Sequence, residues 1–209
     1  LIHPYDNHNV ILGQGTIGIE FLESIPDLDC LIIPIWGGGL ISGIAIAAKS
    51  INPKIKIYGI QTKKFPAMYN LLKNKQLNIT GDTIADGIAV KIPGEITGSI
   101  IRNYVDDIIL VNEFEIEKAI SSLFENDRVV SEGAGAVGVA AIMKSPDLFQ
   151  GLNTGTVICG GNIDARVFAS ILNRKLSRDG RLAKVRIDIL DEPGMLARIS
   201  NLIAENGGN

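Results

Sequence analysis

Cysteine is scarce in this 209-residue chain: Cys30 and Cys159 are its only two. They are too few for a disulfide framework and lack metal-site spacing, so a reducing, cytoplasmic compartment is expected. A surplus of positive charge is missing as well. With 20 Lys and Arg against 23 Asp and Glu, the net charge is −3, which offers nucleic acid no basic surface and excludes it as an expected partner. Every apolar run is broken by Gly, Pro, Asp or Lys within about ten residues, short of the ~20 that a membrane helix needs, so no membrane span is expected. No signal-like segment opens the chain, which starts at Leu1 without a methionine and stops at Asn209 just after a predicted helix. Both ends read as cut, and the sequence is expected to be a fragment. The 46% hydrophobic and 21% charged residues that remain are the balance of a globular domain able to bury a core.

The most informative stretch is Ile32 to Gly43, where an apolar strand runs into Gly37, Gly38 and Gly39 and then into an apolar helix from Leu40 to about Lys49. Three adjacent glycines let the chain turn sharply and lay backbone N–H groups against an anion at a helix start, the layout of a phosphate cradle. Without context, a tight turn with no ligand explains the glycines equally well.

Val10 to Leu12 is a short β-branched run meeting Gly13-Gln14-Gly15-Thr16-Ile17-Gly18, after which apolar residues recur at helical spacing. That G-x-G-x-x-G would suit a dinucleotide only with an acid at the end of the next strand, and Ile32-Ile33-Pro34-Ile35-Trp36 has none, which disfavours it. Cys30 to Ile35 is apolar on both faces, as in a central parallel strand. A strand at Ile55 to Gln61, a helix at Ala67 to Lys75, a loop at Thr83 to Gly87, a helix at Glu95 to Tyr104 and a strand at Asp107 to Val111 continue an α/β alternation. Asn112 with Glu115 reads as a capping box for a helix through Leu123 and Phe124. Val130 to Ala136 opens a helix of small residues reaching Lys144, suited to tight helix packing or to the close approach of a flat ligand. Thr156 to Cys159 is a predicted strand ending in Gly160-Gly161-Asn162, with a helix from Asp164. After a polar linker at Ser177 to Gly180, a strand carrying Leu182, Val185, Ile187 and Ile189 and a helix after Asp191-Glu192-Pro193-Gly194 form a separate unit.

Taken in order, Gly13-Gln14-Gly15-Thr16, Pro34 through Leu40, Ala85-Asp86-Gly87, Glu132-Gly133-Ala134-Gly135-Ala136 and Cys159-Gly160-Gly161-Asn162 resemble the threonine and serine dehydratases, fold type II pyridoxal phosphate enzymes. The likeness covers residues 1 to about 173. It implies an α/β, three-layer parallel-sheet domain like the tryptophan synthase β subunit, incomplete at its N-terminus, over residues 1–176. Residues 181–209 resemble the start of an ACT regulatory domain. The resemblance implies pyridoxal phosphate held through its phosphate by Gly37, Gly38, Gly39 and Leu40, with Cys159 facing the pyridine nitrogen. Gly160, Gly161 and Asn162 would support it, and Gly87 would approach its edge. Glu132 is either an acid close to the ring or the N-terminal acid of its helix, and Cys159 on its own reads as a buried apolar thiol.

The departures from the family pattern matter as much. Family enzymes carry a fourth glycine where this chain has Trp36, which is therefore expected in extended strand. Gln61 and Ala67 replace two carboxylates of cation-binding relatives, so no divalent metal is expected. Neither a Schiff-base lysine segment nor a Ser-x-Gly-Asn-His substrate loop occurs, which assigns both to a missing N-terminal half and predicts that this fragment is inactive alone. The activity implied for the parent is β-elimination of water from L-threonine or L-serine, giving a 2-oxo acid and ammonia. An amino-acid racemase of the same fold and a non-catalytic amino-acid sensor are the alternatives. The partners implied are an amino-acid substrate, an amino-acid effector at Asp191, Pro193 and Gly194, and further copies of the chain in a homo-oligomer.

Overall fold

β1 (Cys30–Pro34) is buried at all five positions, as a continuous apolar run must be when helices cover both faces of its sheet. The computed structural model describes residues 2–208; Leu1 and Asn209, the ends read above as cut, lie outside them. β1 pairs in parallel with β2 (Lys56–Thr62) and with β4 (Thr154–Thr156), while β3 (Asp107–Val111) flanks β2, giving the order β3-β2-β1-β4. Alternate strand residues feed two cores. Cys30, Ile32, Ile60 and Val111 pack with α5 (Glu113–Ser122) and α6 (Gly133–Lys144). Leu31, Ile33, Ile57 and Ile108 pack with α1 (His8–Ser24), α2 (Gly39–Ile51), α3 (Ala67–Lys73) and α4 (Glu95–Tyr104). The result is the expected three-layer parallel α/β domain. No helix among the described residues is long and apolar enough to cross a membrane.

Local signals hold where they are self-contained. Asn112 accepts the Glu115 N–H while Glu115 accepts that of Asn112, completing the expected capping box. Leu123 and Phe124 continue that helix as a π turn, Leu123–Asp127. After α7 (Pro146–Phe149) and β4, Asp164 caps α8 (Ala165–Arg178) by accepting from the N–H groups of Arg166 and Val167 at 2.8 and 3.2 Å.

The G-x-G-x-x-G run departs from expectation, because Val10 to Leu12 and all three glycines lie inside α1. The Asn7 side chain caps this helix by accepting from Asn9 and Val10, and Ile11, Gly15, Gly18 and Leu22 form its buried face. Gly15 and Gly18 serve helix packing. A Cβ on Gly18 would stand 2.8 Å from the Ile44 carbonyl oxygen of α2, and one on Gly43 of α2 would overlap the Ile11 carbonyl oxygen. Helix backbones in direct contact leave no room for a nucleotide.

Two strand expectations also shift at the sheet's carboxyl edge. β4 spans Thr154–Thr156 rather than Thr156 to Cys159, because the chain leaves the ladder after Thr156 and the Gly160 carbonyl instead accepts the Glu132 N–H at 3.1 Å. β1 ends at Pro34, and Trp36 sits in a bend rather than in extended strand, without entering the left-handed region.

The chain divides into two units, Leu1–Lys175 and Leu176–Asn209. Ser177 and Arg178, read as linker, belong to the last turn of α8, and Gly180 at φ 70° follows it. In the second unit α9 (Met195–Glu205) forms as expected, but residues 182–189 form no strand. A strand needs a partner for its backbone groups, and all four strands among the described residues belong to the first unit.

Asp106 ties the loop between α4 and β3 to α2 and β2: its carboxylate accepts from Lys49 Nζ at 2.8 Å, Lys56 Nζ at 2.9 Å and the Ile57 N–H at 2.9 Å. Burial pushes its pKa up, but the hydrogen bonds from Lys49, Ile57 and Lys56 outweigh that and hold it below the usual carboxylate value. Its stabilising contribution is therefore complete above that value and is lost as pH falls through the lowered folded one. Asp106→Asn is expected to destabilise by about 1–3 kcal/mol at neutral pH, with the difference from wild type shrinking below about pH 4. Urea midpoints against pH measure this. In the same assay Gly43→Ala is expected to cost about 1–3 kcal/mol by overpacking. Gly13→Ala, where an added Cβ meets nothing within 4 Å, should gain up to about 1 kcal/mol in helix propensity.

Candidate active site

β1 and β4 are adjacent and parallel, with Ile32 opposite Thr156, so the turns after them leave the same edge of the sheet side by side. Strand order reverses between these two, where open parallel sheets form their ligand crevice. The first turn leads into α2, whose N-cap is Gly38 at φ 97°, with no side-chain cap and no acid in the first helical turn. Residues with a Cβ rarely adopt that φ, and a helix leaves its first N–H groups without intrahelical acceptors. These donors and the positive end of the helix dipole make an anion cradle that no carboxylate of the helix competes for.

A cavity of about 430 Å³ opens beside this turn. It brings together Gly37, Gly38, Gly39, Leu40, Gly87, Glu132 and Cys159 from segments far apart in sequence. Gly160, Gly161 and Asn162 are not among its lining residues. Sequence reasoning missed Tyr5, Val10, Gln14 and Ile17, which also line it. Positions 10, 14 and 17 share one face of a helix, a spacing visible in the sequence once the segment is read as helical. The exposed groove of the second unit is larger, about 680 Å³, and includes Asp191 and Gly194 but not Pro193.

Glu132 occupies the N-cap position of α6 without capping its own helix. Its Oε2 accepts the Asn162 N–H at 3.1 Å, and a Cβ on Gly87 would stand 3.2 Å from its Oε1. A Cβ on Gly160 would overlap the same carboxylate. Glu132 thus fills the space between two glycine backbones and ties the loop after β4 in place. The Gly87 segment is anchored separately, since the Glu113 carboxylate accepts from Thr83 Oγ1 at 2.7 Å and the Ile84 N–H at 2.8 Å.

Cys159 is exposed at the cavity yet flanked closely by protein. Desolvation raises its thiol pKa, the charge of Glu132 raises it further, and a hydrogen bond with its own backbone lowers it in part. The group is a neutral thiol at neutral pH, a weak donor without charge.

Two glycine-rich turns meeting at the switch point of a parallel sheet, with a neutral thiol beside them, define the architecture of the fold type II pyridoxal phosphate enzymes. The chain belongs to the family of pyridoxal-phosphate dependent enzymes, whose sequence model matches residues 1–160. It is 44% identical to an L-threonine ammonia-lyase of Thermotoga maritima over 100% of this chain and 52% of that protein. It is 46% identical to the catabolic L-threonine dehydratase TdcB of Escherichia coli K12 over 78% of this chain and 51% of that protein. Among solved structures, the processed form of threonine deaminase isoform 2 from Solanum lycopersicum superposes with a TM-score of 0.76 at 32% identity, covering 82% of this chain and 48% of that one. Maize serine racemase gives 0.73 at 35% identity, covering 83% and 56%. The chain spans about half the length of the relatives it matches.

The residues fit the family's cofactor, because the uncapped glycine start of α2 offers donors for a phosphate and Cys159 brings no competing charge to a pyridine nitrogen. The alkylation rate of Cys159 by iodoacetamide, followed by peptide mass spectrometry, should rise with pH along a curve displaced above that of a free thiol. In Glu132→Gln the curve should move back toward lower pH, since removing that charge removes one cause of the shift.

Proposed function

We propose that the protein carrying this chain is a threonine or serine ammonia-lyase, using pyridoxal phosphate to eliminate water from L-threonine or L-serine and release 2-oxobutanoate or pyruvate with ammonia. The observation that carries this reading is the meeting of the glycine turn before α2 and Cys159 in one cavity, in a chain whose relatives over its full length bear the name L-threonine ammonia-lyase. Bound there, the cofactor supplies an electron sink for charge developing at the substrate's α-carbon. The amides of Gly37, Gly38, Gly39 and Leu40 would hold its phosphate. Cys159 would lie at its pyridine nitrogen as a neutral thiol with no charge to keep a proton there, which would suit elimination, since a departing hydroxyl drains charge from the α-carbon. Glu132 holds the loop of Gly160, Gly161 and Asn162, and Gly87 closes one edge. None of the described residues lining the cavity is a lysine, and the Schiff-base lysine is assigned to a segment of the protein beyond these residues.

Residues 181–209 are proposed as the start of an ACT-like regulatory module, with Asp191, Pro193 and Gly194 at an amino-acid effector, and the protein is proposed to work as a homo-oligomer. An amino-acid racemase is the second reading, favoured by the superposition on maize serine racemase.

The full-length protein, incubated with L-threonine or L-serine, should form 2-oxo acid and ammonia in equal amounts with little D-amino acid. Accumulation of the D-enantiomer without 2-oxo acid would favour the racemase reading. Cys159→Asp, which sets a carboxylate beside the ring nitrogen and raises its proton affinity, should raise α-proton exchange with deuterated solvent relative to 2-oxo acid formed. An unchanged ratio would show that Cys159 does not tune the cofactor.

A further inference from the structure

Gly37, the first glycine of the turn before α2, is held from behind. Its carbonyl accepts a buried hydrogen bond from Thr97 Oγ1 at 2.7 Å, and Thr97 has no exposed surface. Thr97 lies in the first turn of α4, whose N-cap is Gly94, a residue with no side chain to take the helix's leading N–H groups. Asp6 takes them instead, with Oδ2 accepting from the Glu95 N–H at 3.0 Å and Oδ1 from the Thr97 N–H at 3.0 Å. A Cβ at Gly94 would overlap that carboxylate, so the missing cap side chain is what lets a distant residue act as the cap. The next residue along the same strap, Tyr5, sends its hydroxyl to the Ile92 carbonyl at 3.3 Å, and its ring fills the space beside Gly37 that a side chain would need.

There are no cis peptides among the described residues, and in a planar trans peptide the C=O and the following N–H point in opposite directions. A Gly37 carbonyl turned toward Thr97 therefore turns the Gly38 N–H away from Thr97. Gly37 and Gly38 line the cavity, whereas Thr97 and Asp6 do not. We infer that Asp6 and Thr97 form a latch that aims the Gly38 amide at the bound anion, making both positioning residues for a phosphate they do not touch. This rests on the cofactor reading above.

Without the latch the Gly37–Gly38 peptide is free to flip, and one donor to the anion is lost while the cavity's other walls stay as they are. Thr97→Val keeps the shape and removes the hydroxyl, Thr97→Ser keeps the hydroxyl, and Asp6→Asn leaves one acceptor oxygen for two N–H groups. The measurement is the affinity of the full-length protein for pyridoxal phosphate and for pyridoxal, which lacks the phosphate, by equilibrium dialysis. Thr97→Val should weaken pyridoxal phosphate roughly tenfold, as expected for loss of one charge-assisted hydrogen bond, and leave pyridoxal unchanged. Thr97→Ser should bind like wild type, and Asp6→Asn should show a smaller loss of the same selectivity. Equal weakening of both compounds in Thr97→Val, or no change in either, would overturn the latch. If Thr97→Val does not fold, as judged by its melting transition, Asp6→Asn decides by the same comparison. A wild-type protein that binds neither compound overturns the cofactor reading and the latch with it, an outcome distinct from a latch that fails in a protein that binds both.

Discussion

The proposed cofactor site depends on one pairing, the parallel register of β1 with β4. Three residues of each strand face one another, Cys30 to Thr154 through Ile32 to Thr156, and because the strands run the same way their following loops emerge together. An antiparallel β4 would send Cys159 to the far edge of the sheet. The pairing is reinforced on the face covered by α6: Thr156 Oγ1 donates to the Ile32 carbonyl at 2.8 Å, while Gly138 of α6 leaves room for that hydroxyl. A three-residue strand is marginal alone. Here it is held by a helix pressed against it and by the Glu132 contacts that begin where the ladder stops.

The parts of the fold legible in the sequence are those whose causes are local. β1 declares itself as a run with no polar face, and the Asn112–Glu115 box marks a helix start from two residues. The glycines before α2 reveal an anion cradle because their chemistry is complete within the turn. The failures share a different cause. Val10 to Gly18 reads locally as a short strand and a glycine turn, and what makes it a helix face packed through Gly15 and Gly18 is α2, a partner distant in sequence. β4 ends at Thr156, and four residues on the Gly160 carbonyl accepts the Glu132 N–H, a partner distant in sequence. Residues 182–189 alternate like a strand, but alternation describes a side-chain pattern, whereas a strand also requires a neighbour.

For the site, the family resemblance singled out Gly37 to Leu40, Gly87, Glu132, Cys159 and Gly160 to Asn162, and all but the last three line one cavity in the fold. Glu132 was ambiguous between a helix-terminal acid and an acid serving the site. The carboxylate, at the N-cap position of α6, makes no capping hydrogen bond to that helix and accepts the Asn162 N–H. The wall built by Tyr5, Val10, Gln14 and Ile17 was hidden because it needs both the helical reading of α1 and the packing of α1 on α2 through Gly43.

The chain contains a single tryptophan, Trp36, and the fold sets it at the cavity mouth, 44% exposed and edge-on to Tyr5 with 5.4 Å between ring centroids. Indole emission depends on solvent contact and on nearby chromophores that accept its energy. A group entering the cavity changes both, and no other indole in the chain dilutes the signal. The residue that departs from the family's fourth glycine thereby gives this molecule an intrinsic optical reporter of occupancy at its own site.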